Sequence, residues 1–332
     1  MWKKFLISVL IGAMLCLGFA CNKKQADLTV YMPDGAPAIA LSGAMHGDTQ
    51  EDGVCYRVVK ADTLASFVSF EDESKNADIC VLPVSTASKL LGNGEKYKLF
   101  ATVTHGNLYL ISKNGETVYS ADTLRLLLGK RVGVLQMNAV PGLTLKATLA
   151  KYEIPYTEWK NTDDINPNAV NLKAVADMSA EDGSLDCYLV AEPQASVLVG
   201  KSGYTFVGDL QSLYGGEKGY PQAVAVAKAS LLQEARARIS TVVSAIEQSC
   251  AWVETASGEQ IVSAVQAHMA DEGQQTALKA PLLTAETLSR CGVRFESATA
   301  GKTEIQAFIA SLQGVNANAV GELADGFFWD FA

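Results

Sequence analysis

The strand-to-helix pattern that decides the fold is clearest at Ala77-Asp78-Ile79-Cys80-Val81-Leu82-Pro83-Val84-Ser85-Thr86-Ala87. Asp78–Leu82 has the composition of a short apolar strand, and a proline and two hydroxyl residues follow it where a helix begins. Short apolar strands of this kind alternate with helical segments from Leu28 to about Ser230. Such alternation is typical of α/β domains with largely parallel sheets. The sequence therefore predicts an α/β fold.

The same reasoning predicts further elements along the chain. Tyr97–Val103 and Leu108–Ser112 read as one extended stretch, interrupted at residues 104–107. From Ser230 onward the chain is predicted to be mainly helical. Helices are also predicted at Ala38–Met45 and Gly142–Tyr152. The other predicted strands are Leu28–Met32, Tyr56–Val59, Arg131–Leu135, Thr157–Lys160, Leu185–Val190 and Gln222–Ala227.

Two breaks in this pattern predict two lobes. The strand pattern restarts near residue 115, and long helices begin near residue 228. We therefore assign residues 28–112 and 228–332 to lobe 1 and residues 113–221 to lobe 2, with 222–227 as the return hinge strand. Leu108–Ser112 and Gln222–Ala227 are the candidates for strands that cross between the lobes. A cleft between two lobes is a common place for a small ligand.

The first 21 residues indicate export. Trp2-Lys3-Lys4 precedes the apolar run Phe5–Phe19, and Ala20-Cys21 follows. A basic start, an apolar run and a small residue at the cleavage point make a signal peptide. The run is roughly 15 residues, shorter than the ~20 that span a membrane. We predict a signal peptide over residues 1–20 and a tether over 21–27. Ala20-Cys21 resembles the lipobox of bacterial lipoproteins, which implies lipidation at Cys21; a plain secretory signal and an uncleaved anchor are the alternatives.

Charge and cysteine usage exclude several functions. The formal net charge is −9, and no clustered basic face is visible, so nucleic acid is excluded as a partner. Five cysteines remain beyond Cys21, with wide spacing and no CxxC pair, which predicts no metal site. Buried free thiols are favoured over a single disulfide. These five are Cys55, Cys80, Cys187, Cys250 and Cys291.

Four segments, taken in order, resemble the type II solute-binding proteins of bacterial ABC importers, in the branch of sulfonate, nitrate, taurine and thiamine-precursor binders. They are Val30–Pro37, Ala77–Ala87, Gly129–Val134 and Gly183–Pro193. Cys187 departs from the alanine common in that pattern. The resemblance implies a two-lobed periplasmic-binding-protein fold with a two-strand hinge and an interlobe cleft. It also implies a small-molecule solute and ABC permease and ATPase subunits as partners.

In such lobes, the loops at the carboxyl ends of strands face the cleft. Ser85 or Thr86 has the alternative role of capping a helix, and a lone histidine such as His105 has the alternative of packing. Glu192 ends an apolar strand, so we expect it to contact the solute or a partner across the cleft, with solvent as the alternative. The candidate ligand-binding residues are Gly35, Ala36, Ser85, Thr86, His105, Asn107, Gln136, Asn138 and Glu192.

The candidate loops contain no Arg or Lys, which favours a neutral or amine-bearing solute over a strong anion. No GxSxG, HExxH, Walker or GxGxxG motif occurs, so we expect neither a catalytic residue nor a cofactor. The sequence thus predicts a monomeric, lipid-anchored binding protein on the outer face of the cell membrane. An enzyme on the same fold, as in a menaquinone-pathway branch, and a surface lipoprotein without a transport role are the alternatives.

Overall fold

The computed structural model describes residues 28–48, 53–160, 163–176, 183–215 and 218–330. The predicted signal peptide, Cys21 and the tether lie outside the described residues. Within these residues, no helix is both long enough and apolar enough to cross a bilayer. Cys55, Cys80, Cys187, Cys250 and Cys291 are free thiols, and all but Cys55 are buried.

Twelve strands form two mixed sheets of six strands each in the described residues. In chain order the strands are β1 Leu28–Pro33, β2 Val54–Val59, β3 Ile79–Pro83, β4 Tyr97–His105, β5 Leu108–Ser112, β6 Arg131–Leu135, β7 Tyr156–Glu158, β8 Val170–Val175, β9 Cys187–Ala191, β10 Thr205–Asp209, β11 Pro221–Lys228 and β12 Val293–Ser297. The first sheet has the order β12-β4-β11-β3-β1-β2, and the second has the order β10-β5-β9-β6-β8-β7. Each sheet has a run of parallel strands, β2-β1-β3 in the first and β7-β8-β6-β9 in the second.

Helices cover both sheets. They are α1 Ala36–Ala40, α2 Ser42–His46, α3 Val84–Leu91, α4 Ala121–Leu124, α5 Val140–Lys151, α6 Gln194–Ser202, α7 Leu210–Gly215, α8 Ala229–Glu234, α9 Arg236–Trp252, α10 Gly258–Ala267, α11 Ala285–Arg290 and α12 Ala298–Val315. Strand β3 shows why its sequence is apolar throughout: Cys80 and Leu82 pack into one core and Ile79 and Val81 into another. A strand covered on both faces needs apolar residues at every position.

The structure confirms the two-lobed α/β architecture, and it corrects the predicted crossing strands. Leu108–Ser112 was assigned to lobe 1, but it pairs with β9 and β10 in the second sheet. Pro221–Lys228 lies between β3 and β4 in the first sheet rather than spanning the lobes. The outward crossing is therefore at Gly106 and Asn107, where a positive φ of 64° at Gly106 separates β4 from β5.

Several other expectations differ in detail. The predicted helix Ala38–Met45 is two short helices separated at Leu41. Strands β8 and β10 were not predicted. Strand β12 lies in the region predicted to be mainly helical, and it is a half-exposed edge strand with polar residues at Arg294 and Glu296. Val293-Arg294-Phe295-Glu296 alternates apolar and polar residues, which is a strand signal, but it is only five residues long and lies between helices, so the prediction of a mainly helical region missed it.

Candidate functional site

The candidate loops lie at matching edges of the two sheets. Because β1 and β3 are parallel neighbours, residues 34–37 and 84–87 follow them at one edge of the first sheet. Because β6 and β9 are parallel neighbours, residues 136–139 and 192–194 share an edge of the second sheet. Loops at the carboxyl ends of parallel strands form the usual ligand crevice of open α/β sheets.

On the lobe 1 side, the turn between β1 and α1 is open to a ligand. Gly35 has a φ of 109°, and a side chain there would meet no atom within 4 Å. Ala36 is the buried first residue of α1. The neighbouring Asp34 does not face a free space, because its carboxylate accepts hydrogen bonds from the backbone N–H groups of Gly35 and Ala277 and from the hydroxyl of Thr276.

The hydrogen bonds of Asp34 hold residues 276–277 against the candidate turn, so a substitution of Asp34 should loosen the backbone at those residues. Asp34→Asn should weaken the two bonds at 2.7 and 2.8 Å, because an amide has one accepting oxygen instead of two. Hydrogen bonds to charged groups are worth about 1.5–3 kcal/mol each. We expect faster amide hydrogen exchange at Ala277 with unchanged exchange in the second sheet. Unchanged exchange at Ala277 would contradict the role of Asp34.

The second candidate loop of lobe 1 begins α3. Its N-cap is Pro83, which makes no side-chain capping bond. Ser85 is buried and Thr86 is half-buried in the first helical turn. The alternative in which one of them caps the helix is therefore wrong. The first N–H groups of α3 have no intrahelical partner, as at every helix start.

On the lobe 2 side, Gln136 and Asn138 are both exposed between β6 and α5. Gln136 has a φ of 54°, a left-handed conformation that is uncommon outside glycine and often marks a functional position. Helix α5 starts after Ala139, which offers no side-chain cap. This loop therefore presents two amide side chains beside an open helix N-terminus.

Glu192 has a different environment from the exposed loops. Its side chain is 0% exposed, and its carboxylate accepts hydrogen bonds from the side chain of Arg290 at 2.6 Å and from the hydroxyl and N–H of Ser196. Arg290 ends α11 beside the first sheet, so the contact joins the two lobes. Of the expected roles for Glu192, the structure shows the cross-lobe partner.

His105 and Asn107 lie at the crossing rather than on an open loop. His105 is buried, and its Nε2 is 3.1 Å from Glu296 Oε2. Burial lowers the pKa of His105 to about 4, with a further lowering by Arg294 that Glu296 only partly opposes. The ring is therefore neutral near pH 7. Asn107 is buried and donates its side-chain N–H to the carbonyl of Glu192.

Two residues at the crossing were missed in the sequence. Gln211 accepts a hydrogen bond from the N–H of Leu108 at 2.7 Å, and Arg290 pairs with Glu192. Gln211 follows the end of β10, a strand that the sequence analysis did not predict, and Arg290 ends a helix, so the strand-end criterion selected neither. The one signal in the sequence was Glu192 itself: a carboxylate at the end of an apolar strand needs a partner, and a basic side chain such as that of Arg290 can supply it. In the described residues, no group of three or more His, Cys, Asp or Glu is placed to hold a metal.

Several solved structures have a fold similar to that of this chain. An ABC transporter structure from Parabacteroides distasonis is 19% identical, with a TM-score of 0.67, covering 92% of this chain and 99% of that one. The aliphatic sulphonate-binding protein SsuA of Escherichia coli is 13% identical, with a TM-score of 0.64 and coverage of 91% and 92%. The chain has the periplasmic-binding-protein fold. SsuA of Xanthomonas axonopodis pv. citri, solved with bound MOPS, is 13% identical, with a TM-score of 0.61 and coverage of 92% and 98%.

No protein-family model matches the sequence, and no curated protein matches it significantly. At these identities the similarity establishes the periplasmic-binding-protein fold alone, because different sites occur on the same fold.

Proposed function

We propose that this protein is the solute-binding component of an ABC importer and captures a small polar organic solute between its lobes without altering it. The observation that carries the proposal is the pair of polar strand-end loops, one on each lobe, on a fold that spans nearly the whole length of transporter binding proteins. A solute that contacts both lobes would favour the conformation in which they close.

The chemistry of the loops favours a solute that carries hydrogen-bond acceptors. Helices α3 and α5 begin in opposite lobes without side-chain caps, and their first N–H groups can donate to an oxygen of the solute. The carboxylate of Glu192, which could otherwise bind an amine of the solute, is paired with Arg290. We therefore propose Gly35, Ser85, Thr86, Gln136 and Asn138 as contact residues and a solute with polar oxygens at two ends.

The proposal includes a location. SsuA of Escherichia coli is a periplasmic protein, and the predicted signal peptide of residues 1–20 agrees with a location outside the cytoplasm. We propose that a lipid on Cys21 holds the protein at the outer face of the cell membrane, where a monomer would deliver its solute to the permease and ATPase subunits. Mass spectrometry of the mature N-terminus tests the anchor: an unmodified Cys21 would remove it.

The binding test uses both exposed amides of lobe 2. Native mass spectrometry of the purified chain identifies any retained solute, and a thermal-shift screen of small metabolites covers the case in which none is retained. With that solute, Gln136→Ala combined with Asn138→Ala should weaken binding at least about tenfold, since a lost hydrogen bond to a ligand commonly costs about 1 kcal/mol or more.

The matched control is Asn168→Ala, because Asn168 is an exposed amide before β8, away from the candidate loops. It should leave the affinity unchanged. Equal affinity in all three proteins would remove the loop from the site. Chemical conversion of the retained solute would favour the enzyme alternative, and no stabilising solute in a broad library would contradict a binding role.

A further inference from the structure

Residues 276–290 connect the candidate turn of lobe 1 to the surface of lobe 2. One end is fixed in lobe 1, where Asp34 accepts hydrogen bonds from Thr276 and Ala277. The segment then passes through a short 3₁₀ helix at Ala280–Leu282, which packs against α6 of lobe 2. It ends in α11, whose last residue is Arg290. The segment thus belongs to one lobe and contacts the other.

Four polar side chains meet where α11 faces the start of α6. Ser196 is at the centre of the cluster: its hydroxyl donates to Glu192 at 2.7 Å and accepts from Thr287 at 3.2 Å and from Arg290 at 2.9 Å. The guanidinium of Arg290 also lies 4.4 Å from the ring centre of Phe206, on strand β10. Burial lowers the pKa of Arg290, but hydrogen bonds and charge from Glu192 and Glu286 raise it overall, so it stays charged.

This cluster can separate without leaving a buried charge unpaired. If the lobes part, Glu192 keeps its hydrogen bonds from the N–H and hydroxyl of Ser196 and its place at the N-terminus of α6. Arg290 keeps Glu286, one helical turn earlier, and reaches water. A charge left without its partner inside a protein is strongly destabilising, whereas Glu192 and Arg290 would both face water once the lobes part. The contact is therefore reversible.

We propose that Glu192, Ser196, Thr287 and Arg290 form an interlobe latch that stabilises the conformation in which the lobes touch, and so sets how tightly the protein binds its solute. The effect on affinity depends on the proposed binding function, whereas the effect on lobe separation does not. Arg290 is a positioning residue here, since it acts through Glu192, whose carboxylate pairs with the guanidinium instead of the proposed solute. A shift in the population of the competent conformation changes the apparent affinity by the same factor.

The test measures lobe separation in the full chain without added solute. Dyes attached through non-natural amino acids at the exposed positions 95 and 168, one in each lobe, report the distance by single-molecule energy transfer. Arg290→Gln should lower the ratio of short-distance to long-distance molecules at least about tenfold. Thr287→Val removes the interlobe hydrogen bond to Ser196 and the bond to Thr284 within the same segment, and it keeps the side-chain shape; it should lower the ratio about twofold.

Arg131→Gln is the matched control, because Arg131 pairs with Asp186 at 3.1 Å inside the second lobe and cannot join the lobes. It should leave the distance distribution unchanged. Circular dichroism checks that each variant folds. If Arg290→Gln does not fold, the distance distribution of Thr287→Val tests whether the cluster holds the lobes together. Distributions equal to that of the parent would overturn the latch. A changed distribution in a protein that binds no solute would keep the latch and refute the binding function.

Discussion

Gly292→Ala is expected to destabilise the protein by about 3 kcal/mol, because the new methyl group meets backbone atoms on the crossing between the lobes. Gly292 has a φ of 63°, and a Cβ there would lie 2.2 Å from the carbonyl oxygen of Gly106 and 2.6 Å from that of His105. The left-handed conformation costs a non-glycine residue roughly 1–2 kcal/mol, and forced overpacking adds about 1–3 kcal/mol. Neither carbonyl can move freely, since the carbonyl of Gly292 also accepts the N–H of His105 at 2.8 Å.

Gly273→Ala is the matched control for that prediction. Gly273 has a similar φ of 77°, but a Cβ there meets no atom within 4 Å. It should carry the conformational cost of about 1–2 kcal/mol and no steric cost. Denaturant unfolding of both variants measures the difference. Equal losses of stability would show that the crossing can yield to the methyl group, and that the backbone there is not tightly packed.

The strand ends of the fold were predictable, and the crossing was not. Arg131–Leu135 and Leu108–Ser112 have their predicted bounds, because polar residues on either side of a short apolar run mark where the strand begins and ends. The extended stretch of Tyr97–Val103 and Leu108–Ser112 was predicted too, and β4 continues two residues further, to His105. A local pattern, however, cannot indicate which sheet a strand joins. At the crossing, Gly219 and Gly292 come from distant parts of the chain and lie close to the backbone carbonyl of His105, a contact that no local pattern contains.

The candidate site shows the same contrast, because its strand-end residues were predictable and the partner of Glu192 was not. Gly35 and Gln136 are at strand ends that the apolar pattern located, and both have the positive φ of a turn. Glu192 was expected to have a partner because an apolar strand buries whatever follows it closely. The identity of Arg290 could not be predicted, because 98 residues separate the two in the sequence.

Phe308→Ala is expected to destabilise the protein by about 3–5 kcal/mol, the usual cost of removing a buried phenylalanine ring. Phe308 is 2% exposed on α12. Its ring stacks on Tyr220 with ring centres 5.1 Å apart and meets Tyr214 edge-on at 5.3 Å. Tyr214 belongs to α7 and Tyr220 precedes β11, so the ring packs against the chain where it returns from the second lobe to the first.

Phe327→Ala is the matched control, because it creates a similar cavity in a part of the core away from the return crossing. Phe327 is 0% exposed and packs against Phe328, near the start of β4 and far from His105 at its other end. Both variants should lose similar stability in chemical unfolding. Phe308→Ala should in addition broaden the distance between the lobes and weaken solute binding, because the cavity lies beside the return crossing. If Phe327→Ala changed lobe separation as much, the crossing would have no special part in setting the geometry, and loss of stability anywhere in the core would loosen the lobes.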